Sequence, residues 1–348
     1  MSDRDKAGLR GPVRSVLVEQ NFSAADGQQL LTSTRTEYAP DGRTLEVRSG
    51  NSDGSEWATS YTYQPDGRLI KTAAGKVGAA PSSETTYSYD KEGRLLELKS
   101  GGRTRTRYQY DDKGRKSVVE SYDPKPLPPN VAYEAHWEGS DMGFIPFPGG
   151  SLTTSYSEQE VATDAQLRDA EGKLVAHIER KFDDKGRIIS EQQVADAPEL
   201  MIPEEMKSNL NPEQAKSMGA FMAGGLHNRV ISYIYDDSGR VTEQHKTGGA
   251  FGEEAIVTSY NEQGDKASER TTTVMNPEVG RVYGLTEAGA LIPKGQPQPA
   301  QPPSTHEAQY TYQYDTYGNW TEQTSVVRSR PDAPWEPGSI VHRKLTYY

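Results

Sequence analysis

Residues 61–70 read Tyr61-Thr62-Tyr63-Gln64-Pro65-Asp66-Gly67-Arg68-Leu69-Ile70, and the reading of this stretch decides the fold. Tyr61 and Tyr63 stand two apart, so on a strand both rings lie on one face. Pro65 presets φ for a turn, and Asp66 accepts hydrogen bonds from amides just ahead of it. Gly67 supplies the positive φ that closes a type I turn with a G1 bulge. Leu69-Ile70 then opens the returning strand. The decapeptide is a hairpin tip.

The pattern recurs as Tyr38…Gly42-Arg43, Tyr89…Gly93-Arg94, Tyr110…Gly114-Arg115, Phe182…Gly186-Arg187 and Tyr235…Gly239-Arg240. Degenerate copies stand at Tyr260…Gly264-Asp265 and Tyr314…Gly318-Asn319. Aliphatic residues follow the Gly-Arg pairs, and Gly50, Gly75, Gly101 and Gly248 mark turns at the opposite edge. The expected fold is all-β: an antiparallel meander of hairpin repeats forming a curved or spiral sheet, with stability spread along the array. A tail over 1–11 precedes one repeat domain over 12–348.

Composition agrees with an ordered but shallow core. Of 348 residues 56 are Leu, Ile, Val or Phe, and 20 Tyr add rings that bury a face while the hydroxyl finds a partner. The net charge of -11 argues against nucleic-acid binding, which needs clustered cations. No apolar run is long enough for a membrane-spanning helix. Residues 1–17 lack the apolar stretch of a signal peptide, so a secreted or envelope protein is expected with its leader absent from this sequence. The alternative is the cytoplasm. With no Cys, there is neither a disulfide framework nor a thiolate site.

The Tyr-Asp-x-x-Gly-Arg-Leu pattern resembles the YD or RHS repeat of bacterial cell-surface and toxin-delivery proteins and of teneurins. The resemblance covers about two-thirds of the chain and implies hairpins coiled into a spiral sheet. Eight copies are too few for a large shell.

Three insertions break the period, at 123–164, 196–228 and 275–307. The first is Pro-rich and carries Trp137, Phe144 and Phe147. The second is Met-rich with a short helix expected before Gly224-Gly225, and the third ends in a Pro/Gln run. Capping of a sheet edge is one role for them and partner docking another.

No catalytic residue, cofactor site or metal site is expected. The carboxylate pairs Asp111-Asp112, Asp183-Asp184 and Asp236-Asp237 fall at tips, where turn formation alone accounts for them. The six His share no ligand spacing. Function is therefore expected to be that of a non-catalytic scaffold binding an unknown protein or glycan at the bacterial envelope or outside the cell. Its contacts would be Trp57, Trp137, Phe144, Phe147, Trp320 and Trp335. A carbohydrate-binding module is the alternative, and a small hydrolase a distant third. Gly42, Gly67, Gly93, Gly114, Gly186, Gly239, Gly264 and Gly318 are the structural turn residues.

Overall fold

The structure is a computed structural model that describes residues 2–23, 29–50, 54–121, 150–157, 161–201, 210–212, 214–215, 229–248, 252–275, 282–285, 291–294 and 302–348. A short helix α1 (Asp3–Lys6) precedes the strands. They are β1 (Val13–Ser23), β2 (Gln29–Tyr38), β3 (Thr44–Gly50), β4 (Glu56–Tyr63), β5 (Leu69–Lys76), β6 (Ser83–Tyr89) and β7 (Leu95–Ser100). Next come β8 (Arg103–Tyr110), β9 (Lys116–Ser121), β10 (Ser151–Tyr156), β11 (Ala162–Arg168), β12 (Leu174–Phe182) and β13 (Ile188–Ala195). The remainder are β14 (Arg229–Tyr235), β15 (Val241–Gly248), β16 (Glu253–Tyr260), β17 (Lys266–Val274), β18 (Val282–Leu285), β19 (Leu291–Lys294), β20 (Ser304–Tyr314), β21 (Trp320–Arg328) and β22 (Glu336–Tyr347).

All but β18 and β19 belong to one 20-stranded antiparallel sheet; those two pair with each other. Neighbours in sequence are neighbours in the ladder, as a meander requires, except that β17 pairs with β20 across the separate β18–β19 hairpin. One feature of the expected fold is corrected. β1 pairs with β2 on one side and with β22 on the other, so the sheet closes through its first and last strands as a β-barrel does, instead of remaining an open curved or spiral sheet. The reason is physical: an open meander leaves two rows of unpaired N–H and C=O groups, and this pairing removes both.

The chain divides into two compact units, one of residues 1–104, 259–269 and 306–348, the other of 105–258 and 270–305. In the first, Leu9, Val13, Val16 and Tyr38 form a buried cluster against Val18, Leu345 and Tyr347. In the second, Leu152, Ala165, Leu167, Ala176 and Ile178 are almost fully buried. The register places them on one face, since Leu152 opposes Leu167, Leu167 opposes Ala176 and Ala165 opposes Ile178. Each large aliphatic side chain so buried is worth roughly 1.5–3 kcal/mol.

The tyrosines share that face. Tyr87 opposes Leu98 and Tyr108 opposes Val119, all four buried. Charged pairs occupy the alternate face, as in Lys99–Glu97 and Arg35–Glu37. Period two puts these tyrosines and buried aliphatics on one face and these ion pairs on the other.

Candidate functional site

Each tip is a small electrostatic device. Gly42, Gly67, Gly93, Gly114, Gly186, Gly239, Gly264 and Gly318 all have φ between 76° and 91°. At the fourth tip the Asp111 amide donates to Arg115 O at 3.0 Å, and the Gly114 amide to Asp111 O at 2.9 Å. The side chain then locks the same turn: Asp111 Oδ1 accepts the Arg115 amide at 2.9 Å, and Oδ2 accepts Arg115 Nε at 2.7 Å. Asp183–Arg187 and Asp236–Arg240 repeat this. The ladder slips by one residue at the aromatic before each such turn, for example between Gln109 and Tyr110, as a bulge demands.

The arginine also reaches the next hairpin. Arg43 lies 4.9 Å from the Tyr63 ring centroid, Arg68 5.6 Å from Tyr89, and Arg187 4.6 Å from Tyr235. Each of these rings returns a hydrogen bond to the carbonyl just after that arginine. Tyr63 donates to Thr44 O at 2.8 Å, Tyr89 to Leu69 O at 2.6 Å and Tyr235 to Ile188 O at 2.7 Å. Carboxylate, guanidinium and phenol thus link successive tips.

Electrostatics follow this wiring. Hydrogen bonds from the Arg115 side chain and then its backbone hold the Asp111 carboxyl below its ordinary 3.8. The Arg187 and Arg240 amides, opposed by desolvation, do the same for Asp183 and Asp236. A general acid needs the opposite shift. Among the described residues no group of three His, Asp or Glu is placed to hold a metal ion.

The aromatic candidates are scattered. Trp57 lies on β4, 41% exposed and opposite Ser49 and Lys76. The Trp320 ring is covered by Arg343 at 3.4 Å and packs against Tyr312 at 6.2 Å. Trp335 is stacked by Arg328 at 4.5 Å. Trp137, Phe144 and Phe147 lie outside the described residues. In the second insertion the described residues show a 3-10 turn over Pro198–Met201 and helical residues 212, 214 and 215, where the Gln214 amide donates to Asn211 Oδ1 at 2.9 Å. The helix end expected at Gly224-Gly225 lies outside them.

Two arrangements escaped the sequence reading. A polar network is buried in the second unit: Arg180 Nε donates to Glu191 at 2.9 Å, Gln193 donates to Glu191 at 2.7 Å, and Arg229 Nε donates to Gln193 at 2.7 Å. Period-two placement of these residues on the face of Ile178 was the available signal. The same unit carries an open groove of about 560 Å³ across β11–β14, lined by Asp164, Gln166, His177, Glu179, Lys181 and Ser190. His177 Nδ1 lies 2.6 Å from Asp196 Oδ2. This groove offers hydrogen bonds and charge but no aromatic face.

No family model matches the chain, and no curated protein matches it. Solved structures do match. A porin-like protein from Bacteroides uniformis aligns over 97% of this chain and 98% of its own, at 10% identity and a TM-score of 0.32. The Photorhabdus luminescens Tc holotoxin pore aligns over 93% of this chain at 10% identity and a TM-score of 0.26. The TcdB2–TccC3 structure aligns over 92% at 12% identity and a TM-score of 0.25. This chain spans 18% of each toxin chain. Likenesses this distant carry no argument about activity.

Proposed function

We propose that the protein is a non-catalytic YD-type repeat scaffold that binds a partner at the cell envelope or outside the cell. The observation that carries the reading is the commitment of the tip carboxylates. Asp111, Asp183 and Asp236 each have both oxygens engaged by their own turn and a pKa held below the ordinary 3.8, the opposite of the raised proton that acid catalysis calls for. No helix among the described residues is long and apolar enough to cross a membrane. A lipid-facing strand needs an apolar outward band. Here ion pairs such as Lys99–Glu97 and Arg35–Glu37 stand on the open face beside exposed aliphatics such as Ile234 and Ile340, and those charges support a water-facing sheet.

Labelling intact producing cells with a membrane-impermeant amine reagent tests the placement. The full chain is expected to be labelled without lysis. Labelling that requires lysis, together with that of a cytosolic marker, overturns it. Hydrolysis above buffer that is lost on Asp111→Asn or Asp183→Asn would overturn the non-catalytic assignment.

Glycan binding is the second reading, and the open Trp57 ring favours it. Binding on a glycan array that is lost in Trp57→Ala, with folding unchanged, is the outcome that reading requires.

A further inference from the structure

In the regular tips the arginine of one turn leans on the next turn. A Cβ on Gly67 would stand 3.6 Å from Arg43 Nη1, and one on Gly93 would stand 3.3 Å from Arg68 Nη1. The last two tips lack that arginine, with Asp265 and Asn319 in its place. Between β22 and β1, moreover, there is no turn at all, because the two strands are the last and first of the ladder. Residues 2–12 occupy this gap.

At one end the segment is fastened to the first tip. The Arg4 amide donates to Gly42 O at 3.0 Å, and Asp3 Oδ2 accepts the Thr44 amide at 2.9 Å. Leu9 is buried in the core cluster with Val13, Val16 and Tyr38. Gly8 and Gly11, with φ of 68° and 75°, turn the chain on either side of Leu9-Arg10. At the other end Arg10 is gripped by the last tip. Asn319 accepts its amide at 2.7 Å and donates to its carbonyl at 2.8 Å, as a neighbouring strand would. The Arg10 guanidinium donates to Gly318 O at 3.3 Å and to Gln263 O at 3.1 Å, serving the two tips that lack their own arginine. Tyr317 stacks on Tyr347 at 4.5 Å beside this grip, and the Tyr348 amide donates to Pro12 O at 3.0 Å.

We propose that residues 2–12 are a strap that holds the β1–β22 seam shut, and that releasing the Arg10–Asn319 grip opens this seam before any other part of the sheet. The device is conformational. An opened seam presents two long strand edges, β1 and β22, competent to pair with another strand. At the tips of Gly42, Gly67 and Gly93, by contrast, a covalent turn with its Asp-Arg lock guards the ladder. Here no turn joins the two strands, and beyond their own ladder, the Ser15–Thr346 hydrogen bond and the Lys344–Glu19 ion pair, the strap's contacts and Leu9 guard the seam.

Hydrogen exchange on the full chain tests this, with Asn319→Ala removing both backbone-reading bonds and Arg10→Ala removing only the guanidinium. Amides of 16–20 and 341–345 are expected to exchange about tenfold faster in Asn319→Ala, and less so in Arg10→Ala, while those of 175–178 keep their rate. Should Asn319→Ala fail to fold, Arg10→Ala alone decides by the same comparison. Unchanged seam amides, or acceleration shared equally by 175–178, overturns the proposal.

Discussion

Arg115 lies 4.6 Å from the ring centroid of Tyr156, and Tyr156 returns its hydroxyl to Lys116 O at 2.6 Å. This is the relation that Arg187 has with Tyr235, so Tyr156 occupies the aromatic position of a tip. The chain after it agrees, since the Ser157 amide donates to Val161 O at 2.9 Å and Ser157 Oγ accepts the Val161 amide at 3.3 Å. Ser157 stands where other tips have Asp, and Val161 where they have Arg. Val161 brings no guanidinium to the next tip, and the aromatic there, Phe182, has no hydroxyl to return.

Arg115 is therefore expected to serve two turns. Arg115→Lys keeps the charge but loses the planar fork and the ring stacking. Arg115→Met loses all three. The contact with Tyr156 alone is worth about 0.5–1 kcal/mol, and Asp111 should titrate closer to its ordinary 3.8 in Arg115→Met. Urea midpoints and carboxyl chemical shifts measure these; a Lys variant as stable as the parent rules out the fork as the cause.

Gly67 stands at a φ of 91°, where a Cβ meets the following carbonyl. Gly67→Val is expected to cost about 1–2 kcal/mol, and Gly114→Val, at a φ of 77°, a similar amount. Thermal unfolding checks both, and unchanged midpoints in the pair would remove the strain argument.

These tips are also where the sequence was most legible. Pro, Asp, Gly and Arg act within six residues, so their chemistry is local and recurs in plain view. The closure of β22 on β1 was not legible, because it joins residues that no turn connects, such as Val16 and Leu345. Nor was the tip at Tyr156, whose Ser157 and Val161 do a tip's backbone work without its signature residues. Trp320 looked available as a bare residue type. Only its packing beneath Arg343 and against Tyr312 shows that its ring is partly covered.

Stability should fall at both ends of the pH scale. Asp66, Asp111, Asp183 and Asp236 have folded pKa values below the ordinary 3.8, so their contribution is full above that value and disappears as pH falls through the lower folded value. At the alkaline end burial, and then Asp265 and Asp315, push Tyr314 and Tyr347 up to about 12. Unfolded phenols ionise from about pH 10 while these two stay protonated until about 12, so stability declines between about pH 10 and 12. Denaturant melts across the range should give a plateau between these limits; a maximum below pH 4 contradicts the assignment of the tip carboxylates.

Glu191 and Arg180 form a pair whose side chains are only 10% and 9% exposed. Glu191→Gln takes the Glu191 charge away from the buried Arg180 cation and is expected to cost about 3 kcal/mol. Replacing both, as Arg180→Met with Glu191→Leu, removes the two desolvated charges together and should recover most of that loss. A double variant less stable than Glu191→Gln would show that the hydrogen bonds to Gln193 outweigh charge burial.

Arg343 presents the opposite case. It sits over Trp320, its Nε is buried without a hydrogen-bond partner, and burial brings its pKa down to about 10. The cation–π contact offsets some of the desolvation, by about 2 kcal/mol for a buried pair. A methionine in the same place keeps a favourable sulfur–ring contact and carries no charge to desolvate. Arg343→Met should therefore stabilise the first unit by about 1 kcal/mol, read as a higher urea midpoint at constant slope. A lower midpoint would mean that Arg343 and Trp320 attract each other more strongly than the missing hydrogen bond and lost hydration cost, and that this buried cation helps to hold the fold.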